Sequence, residues 1–312
     1  MSDDFCSALS LQVGEPLAGT AVAETDRFLV LEHDAQWGPK GVEDSGLPDA
    51  VVTYLQGLGR RHPRLRVQLA RRPEQAAGPS ARLYLAETGQ SSPAREGVLS
   101  APALYSLTLA ELGQLVTLEL DGWLAGTAPA PGEREHEPLY LVCTHGKRDR
   151  CCALLGLPVY RALSERVGAR TVQTTHLGGH RFAATLLLLP LGLCYGRVLA
   201  DEAPALIAAT ERGDIYDLAR VRGRTAYPSE AQAAELMLRE QLGELRVDAF
   251  SLHSVEPLAG ERFRVRFLHT TQAGTQEHTL EVARDTLPPA PASCGAAPKP
   301  VSRLLRAPAA PA

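Results

Sequence analysis

The stretch LYLVCTHGKRDRCCALLGLPVYRALSERVG, residues 139–168, decides the fold of this chain. Its opening run, Leu139–Thr144, is short and apolar, which predicts a buried strand. From Cys152 to Gly168 the apolar residues recur at helical spacing, which predicts a helix that ends at the glycine and has Pro158 near its start or at a turn. A strand that leads into a helix within a few residues is typical of an α/β fold.

The residues that follow extend this pattern. Strands are predicted at Arg170–Thr175, Phe182–Pro190 and Leu193–Ala200, and a helix at Ala203–Gly213. The last two strands are joined by a tight turn at Pro190-Leu191-Gly192, as in a β-hairpin. The order βαβ, β-hairpin, α is that of a thioredoxin-like domain, which we place at residues 139–213.

Other regions flank this domain. Residues 1–124 predict a small α/β region, with strands at Phe28–His33, Leu65–Arg72 and Ala81–Thr88 and a helix at Leu47–Arg61. Residues 125–138 are expected to be a linker, because their proline, glycine and charge cannot fill a core. Residues 214–286 predict a smaller α+β region with a helix at Ser229–Leu242 and strands at Leu245–Leu252, Arg262–His269 and His278–Ala283. Residues 287–312 are rich in proline and alanine, and we expect them to be a mobile tail.

The composition excludes several classes of protein. The chain has 312 residues, of which 45% are hydrophobic and 22% charged, as expected for a globular protein of two or three domains. Its net charge of −4 argues against nucleic acid as a partner. The longest apolar stretch, Phe182–Cys194, is interrupted by proline and glycine and is too short to span a membrane. The N-terminus MSDDFCSALS lacks the features of a signal peptide, so we expect a cytoplasmic protein without a membrane partner.

The cysteines fall into two groups. Cys143, Cys151 and Cys152 lie within one decapeptide, which in a reducing compartment indicates metal binding or redox chemistry rather than a disulfide scaffold. The other three are scattered along the chain: Cys6, Cys194 and Cys294. Of these, we expect the one in the apolar strand to lie in the core and the two near the termini to be unrelated thiols.

A histidine pair completes a set of possible metal ligands. His176 and His180 lie in the segment THLGGHRF, where two glycines allow the loop to fold tightly. The loop belongs to the same predicted domain as Cys143 and Cys152, and ligands of α/β folds bind at the ends of strands. Two thiolates and two imidazoles suit either tetrahedral zinc or an iron–sulfur cluster.

The neighbours of this set also have ordinary explanations. Adjacent residues point in different directions, so only one of Cys151 and Cys152 should be a ligand, and the other should pack as a small hydrophobic residue. The loop between the cysteines carries a histidine and three basic residues: His145, Lys147, Arg148 and Arg150. Such a loop is usually solvated, whereas its functional role would be to compensate the charge of a cluster or to dock an acidic partner.

The segments CTHGKRDRCC and HLGGHRFAATLLLLPLGLCYGR closely resemble the sucrase/ferredoxin-like family, thioredoxin-like [2Fe-2S] proteins whose HxGGH motif supplies histidine ligands. The segments PLAGTA, LEHDAQWGP and ASCGAAPKPV extend the resemblance to nearly the whole chain. It implies that Cys143 and Cys152 ligate one iron and that His176 and His180 ligate the other. The nine-position cysteine spacing of the family selects Cys152 over Cys151. No pair of carboxyl groups accompanies the site in the sequence, so glycosidase activity is not expected.

Three functions can be weighed from these residues. The leading hypothesis is a [2Fe-2S] protein for electron transfer or redox sensing, with a redox partner docking near Lys147, Arg148 and Arg150. Two thiolates give an oxidised cluster a net charge of zero, and histidine ligation in Rieske centres raises the potential from about −400 mV to roughly −150 to +300 mV. The alternative is a structural zinc module with the same four ligands. A thiol–disulfide catalyst is disfavoured because no C-x-x-C motif is present, and no dinucleotide fingerprint indicates a reductase.

Overall fold

A computed structural model of the chain describes residues 5–34, 36–73, 80–89 and 101–307. Strands and helices both contribute to it, which confirms the predicted α/β class. The strands within these ranges are β1 (Arg27–Glu32), β2 (Leu65–Arg71), β3 (Ala81–Glu87), β4 (Ala103–Leu109), β5 (Glu133–Glu135), β6 (Leu139–Cys143), β7 (Thr171–Thr174), β8 (Leu186–Leu189), β9 (Leu193–Tyr195), β10 (Val221–Arg224), β11 (Phe250–Leu258), β12 (Arg262–Thr271), β13 (Gly274–Pro291) and β14 (Pro298–Arg306). The α-helices are α1 (Cys6–Gln12), α2 (Asp49–Arg61), α3 (Leu120–Ala125), α4 (Arg150–Val167), α5 (Ala203–Glu211) and α6 (Ser229–Leu242).

Ten strands form one mixed sheet in the order β10-β9-β8-β6-β7-β2-β1-β3-β4-β5. In its second half, β6 pairs parallel with β7 and antiparallel with β8, which in turn pairs with β9. This is the arrangement expected of the thioredoxin-like region. All residues of β6 and β8 are buried, as continuous apolar runs covered on both faces should be.

The first half of the sheet has the same order, β2-β1-β3-β4, with the same strand directions. The two halves are joined where β2 and β7 pair antiparallel through Ala70 opposite Thr174 and Arg71 opposite Gln173. Residues 1–124 and 139–213, which the sequence predicts to be separate regions, therefore share one sheet. The segment 125–138, expected to be a plain linker, contributes the short edge strand β5, which pairs with β4.

A second, antiparallel sheet has the order β11-β12-β13-β14, and α6 packs against it through apolar side chains. The expectation of a mobile tail from residue 287 onward is wrong for residues 287–306, which complete β13 and form β14. Leu287, Val301 and Leu304 are buried, which ties the segment to the fold. Its prolines are compatible with strands because β14 is an edge strand and because Pro288 and Pro289 lie where the register shifts.

The position of Pro158 in helix α4 differs from the prediction. Pro158 lies inside the helix rather than near its start. A proline there leaves the carbonyl of Leu154 without its helical donor, and Leu154 is about half exposed, so water can reach that turn. None of the helices in the described part of the chain is long and apolar enough to cross a bilayer.

Candidate metal centre

Two buried cysteines meet at the junction of β6 and α4. Cys143 is the last residue of β6 and Cys152 lies in the first turn of α4, and neither has any exposed surface. Asp149 begins the helix, since its carboxylate accepts a hydrogen bond of 2.9 Å from the Cys151 N–H. A Cβ on Gly156 would lie 2.1 Å from the Cys143 carbonyl oxygen, so a glycine is required for the helix to approach the strand this closely.

His176 faces both thiols from the loop that follows β7. Its Nδ1 lies 4.0 Å from the Cys143 Sγ and 3.8 Å from the Cys152 Sγ. These three ligand atoms lie within 4.8 Å of one another, close enough to bind one ion.

His180 lies one ring further from the cysteines. Its Nδ1 is 3.3 Å from the His176 Nε2, and the ring centroids are 4.9 Å apart. Among the described residues, the buried His180 Nε2 has no hydrogen-bond partner, and it lies 3.8 Å from an Asp149 carboxylate oxygen. The structure therefore brings Cys143, Cys152 and His176 into one group and places His180 next to His176, with the two rings tilted by 32°.

The chemistry of these donors fits the group that the resemblance implies. Thiolates and imidazoles are ligands of both zinc and [2Fe-2S] centres. An imidazole nitrogen that is buried and lacks a hydrogen-bond partner is free to bind a metal. A single ion would be held by Cys143, Cys152 and His176. A cluster would have the cysteines at one end and His176 and His180 at the other.

The pKa values of the two thiols are shifted in opposite directions. A hydrogen bond from Cys152, reinforced by His176, outweighs burial and holds the pKa of Cys143 well below its usual range. The same hydrogen bond, burial and the Cys143 charge raise the pKa of Cys152. Binding of a metal ion through both sulfurs requires both as thiolates, so it releases any proton that they still carry.

Two arginines place positive charge beside the thiols. Arg66 from β2 donates a hydrogen bond of 2.8 Å to the His176 carbonyl, and Arg222 from β10 donates one of 2.8 Å to the Gly178 carbonyl. Burial lowers the pKa of both guanidinium groups. Within the described ranges neither forms a salt bridge with a carboxylate, so their charge acts on Cys143 and on the sulfur of Cys194, which is 3.6 Å from Arg222 Nη1.

His145 is a site residue that the sequence assigned to a solvated loop. It is 3% exposed, with its ring edge-on to Trp37. Its Nδ1 accepts a hydrogen bond of 3.2 Å from the His176 N–H, and its Nε2 donates one of 2.8 Å to the Gly38 carbonyl. Burial lowers the pKa of His145, which favours the neutral ring this pattern requires. The available signal was its position two residues after the end of an apolar strand.

The other three residues of that loop, Lys147, Arg148 and Arg150, are exposed as expected. Arg148 lines an open cavity of about 770 Å³ together with His145 and His176. Solvent and small solutes can therefore approach His176 past a positively charged rim.

Cys151 also differs from its expected role. It does not pack as an isolated hydrophobic residue, since its Sγ lies 3.5 Å from that of Cys6 and 3.4 Å from that of Cys294. The expectation that Cys6 and Cys294 are unrelated thiols is wrong, because the fold brings both ends of the chain to α4. Cys194 is buried in the apolar core, as predicted.

Comparison with known proteins was made for the whole chain. A family model described as sucrase/ferredoxin-like matches residues 17–223. Altered inheritance of mitochondria protein 32 from Meyerozyma guilliermondii is 27% identical over 97 residues, which cover 28% of this chain and 34% of that protein. The match thus spans about a third of the length of this curated relative. No solved structure matches the chain significantly.

Proposed function

The chain belongs to the sucrase/ferredoxin-like family, and on that premise we propose that it carries one electron at a [2Fe-2S] cluster ligated by Cys143, Cys152, His176 and His180. The observation that carries the proposal is the meeting of two buried thiols and two adjacent imidazoles at the end of strand β6. When bound, such a cluster supplies reversible one-electron chemistry.

The residues of the chain have distinct tasks in this function. Cys143 and Cys152 bind through sulfur, and their burial keeps water from one side of the site. His145 holds the backbone of His176, so the imidazole is presented in a fixed direction. The charges of Arg66 and Arg222 favour the more negative, reduced state and should raise the reduction potential.

The test is the metal content and visible spectrum of protein purified without oxygen. We expect a coloured protein with iron and acid-labile sulfide in equal amounts. Replacing Cys143, Cys152, His176 or His180 by alanine should remove or destabilise the cluster, while the matched variant Cys194→Ala should keep it. A colourless protein that contains zinc instead would contradict the proposal.

That outcome would favour a second candidate, a structural zinc module. It is supported by the compact group of Cys143, Cys152 and His176, whose ligand atoms are close enough for one ion. The two candidates differ in redox chemistry, since zinc has none.

A redox partner belongs to the leading proposal. The exposed residues Lys147, Arg148 and Arg150 lie between two of the proposed ligands in sequence, and Arg148 lines the cavity that reaches His176. They suit an acidic surface on an electron donor or acceptor.

A further inference from the structure

A second cluster of thiols surrounds Asp149, the residue whose carboxylate also lies near His180. Cys6 opens α1, Cys151 lies in the first turn of α4, and Cys294 lies between β13 and β14. Their sulfur atoms form a nearly equilateral triangle with sides of 3.5 Å, 3.4 Å and 3.6 Å. Three segments that are distant in sequence therefore converge on one point.

The size of the triangle selects one kind of occupant. A disulfide has an S–S distance of about 2.05 Å and would leave one thiol over. A tetrahedral ion with metal–sulfur bonds of about 2.3 Å holds its sulfurs about 3.8 Å apart, slightly wider than the sides observed. An iron–sulfur cluster has to place inorganic atoms between its ligands, for which a triangle of this size has no room.

A fourth donor completes a tetrahedron. One carboxylate oxygen of Asp149 lies 3.3 Å from the Cys294 Sγ and 3.8 Å from the Cys6 Sγ, and all four ligand atoms lie within 4.8 Å of one another. Asp149 is only 5% exposed, and the N–H groups of Cys151 and Cys294 each donate to it over 2.9 Å. These hydrogen bonds orient the carboxylate before any ion binds, as is usual for metal ligands.

The surroundings hold the three sulfurs close to the carboxylate. Cys6 and Cys151 have no exposed surface and pack with Ala183, Phe5 and Leu155, and as neutral thiols Cys6 and Cys294 can donate to Asp149. The Ser7 hydroxyl lies 3.3 Å from the Cys151 Sγ, where it can donate to a thiolate. Thiols collected around a buried carboxylate repel it once ionised, and a cation removes that repulsion.

We infer that Cys6, Cys151, Cys294 and Asp149 form a second metal site, one that binds a single zinc ion for a structural purpose. The ion ties α1 and the β13–β14 connection to the start of α4. Its position also joins it to the candidate metal centre, because the other oxygen of Asp149 lies 3.8 Å from the His180 Nε2.

The experiment measures zinc, iron and sulfide in the full-length protein expressed with zinc in the medium. We expect one equivalent of zinc that Cys294→Ser removes while the visible absorption of the candidate metal centre stays. Cys294 is suited to this test because it is partly exposed, so its replacement should not prevent folding. Cys194→Ser is the matched control and should keep the zinc.

Two further measurements separate ligation from folding. Asp149→Asn retains a side chain that can begin the helix but removes the charge, and it should weaken zinc binding about tenfold or more. In the wild-type protein, a chelator that removes zinc should make the partly exposed Cys294 reactive toward alkylation, as identified by mass spectrometry.

The result is independent of the chemistry of the candidate metal centre. If that centre holds zinc instead of a cluster, the wild type should contain two equivalents and Cys294→Ser one. Zinc content unchanged by Cys294→Ser would overturn the inference. So would alkylation of Cys294 at the same rate with and without added Zn²⁺, or a disulfide between any two of the three cysteines in protein prepared under reductant.

Discussion

The two halves of the large sheet have the same topology but different chemistry at corresponding ends. Strand β1 corresponds to β6, and β2 corresponds to β7. Where β6 ends in Cys143, β1 ends in Glu32, whose carboxylate pairs with Arg72 just after β2. Arg72 also donates to the Tyr84 hydroxyl over 2.8 Å. One end thus carries an ion pair and the other carries the candidate metal ligands, so the same topology supports different residues at its strand ends.

The first half nevertheless contributes to the site of the second. Strand β2 begins before its short overlap with β7, and Arg66, in this earlier part, donates to the carbonyl of His176. The connection after β1 supplies the Gly38 carbonyl that fixes His145. The first half therefore helps to position His145 and His176 at the candidate metal centre of the second half.

The largest expected effect comes from removing a ligand on one side only. Cys143→Ala should abolish the visible absorption of the proposed cluster, because one of its two proposed sulfur ligands is lost. Glu32→Gln, at the corresponding strand end, should leave the absorption intact. Absorption spectra of both variants, purified without oxygen, check this. Bleaching in Glu32→Gln would mean that the two ends are not independent.

The same Glu32→Gln variant should lose stability. Glu32 and Arg72 are both largely buried, and breaking a buried ion pair typically costs about 3 kcal/mol because one charge is left uncompensated. Urea unfolding followed by circular dichroism measures this. A free energy of unfolding equal to that of the wild type would show that the ion pair does not close this end of the sheet.

Acid should destabilise the protein through a second buried ion group, on the side of the half that contains the candidate metal centre. Burial raises the pKa of Glu235, but Arg224 and Arg239 outweigh it, so the pKa is lowered overall from 4.5. Since the folded pKa lies below the unfolded one, the stabilisation is complete above about pH 4.5 and is lost as the pH falls through the folded pKa. Urea unfolding between about pH 3 and pH 7 should show this loss in the wild type and a flatter profile in Glu235→Gln. Identical slopes would contradict it.

A smaller effect is expected at the histidine that precedes the helix. His145→Ala should leave the cluster able to assemble but shorten its lifetime in air, because the His176 N–H loses its acceptor. His145→Gln should restore part of that lifetime. His33, which follows β1 in the first half, provides the control, and His33→Ala should not change the bleaching rate. Equal lifetimes in all variants would remove His145 from the site.

The smallest effect concerns the charged rim. Reversing Lys147, Arg148 and Arg150 to glutamate should slow oxidation of the reduced protein by an anionic probe such as ferricyanide about tenfold at low salt, with the difference vanishing at high salt. Reversal of the exposed Arg60 and Arg134 in the first half serves as the control. Unchanged rates at low salt would contradict a docking role for the loop.

Much of the fold could be predicted because its elements are local patterns. The helix at Ser229–Leu242 and the strands at the start of both halves follow from apolar spacing and breakers. The junction of β2 and β7 could not be predicted, since it consists of two residue pairs between strands about a hundred residues apart. Strand β14 could not be predicted because it contains prolines. Proline is tolerated in a strand only at an edge or a bulge, and the sequence does not show which strand is at the edge.

The candidate metal centre shows the same limit. Cys143, Cys152, His176 and His180 carry a motif, so they could be proposed from the sequence. His145 could not be recognised, because its role is a pair of hydrogen bonds to backbone groups. Cys6 and Cys294 are 288 positions apart, and only the folded chain shows that their sulfurs lie 3.6 Å from each other.

The triangle of thiols also constrains the biosynthesis of the protein. A chain leaving the ribosome presents Cys6 first and Cys151 much later, while Cys294 follows only after the whole large sheet has emerged. A zinc site built on these residues cannot close on a nascent chain that stops short of the second sheet. Such a site would therefore close only after the segment with Cys294 has been synthesised, and a shorter chain would keep two thiols and a carboxylate in an open, easily oxidised arrangement.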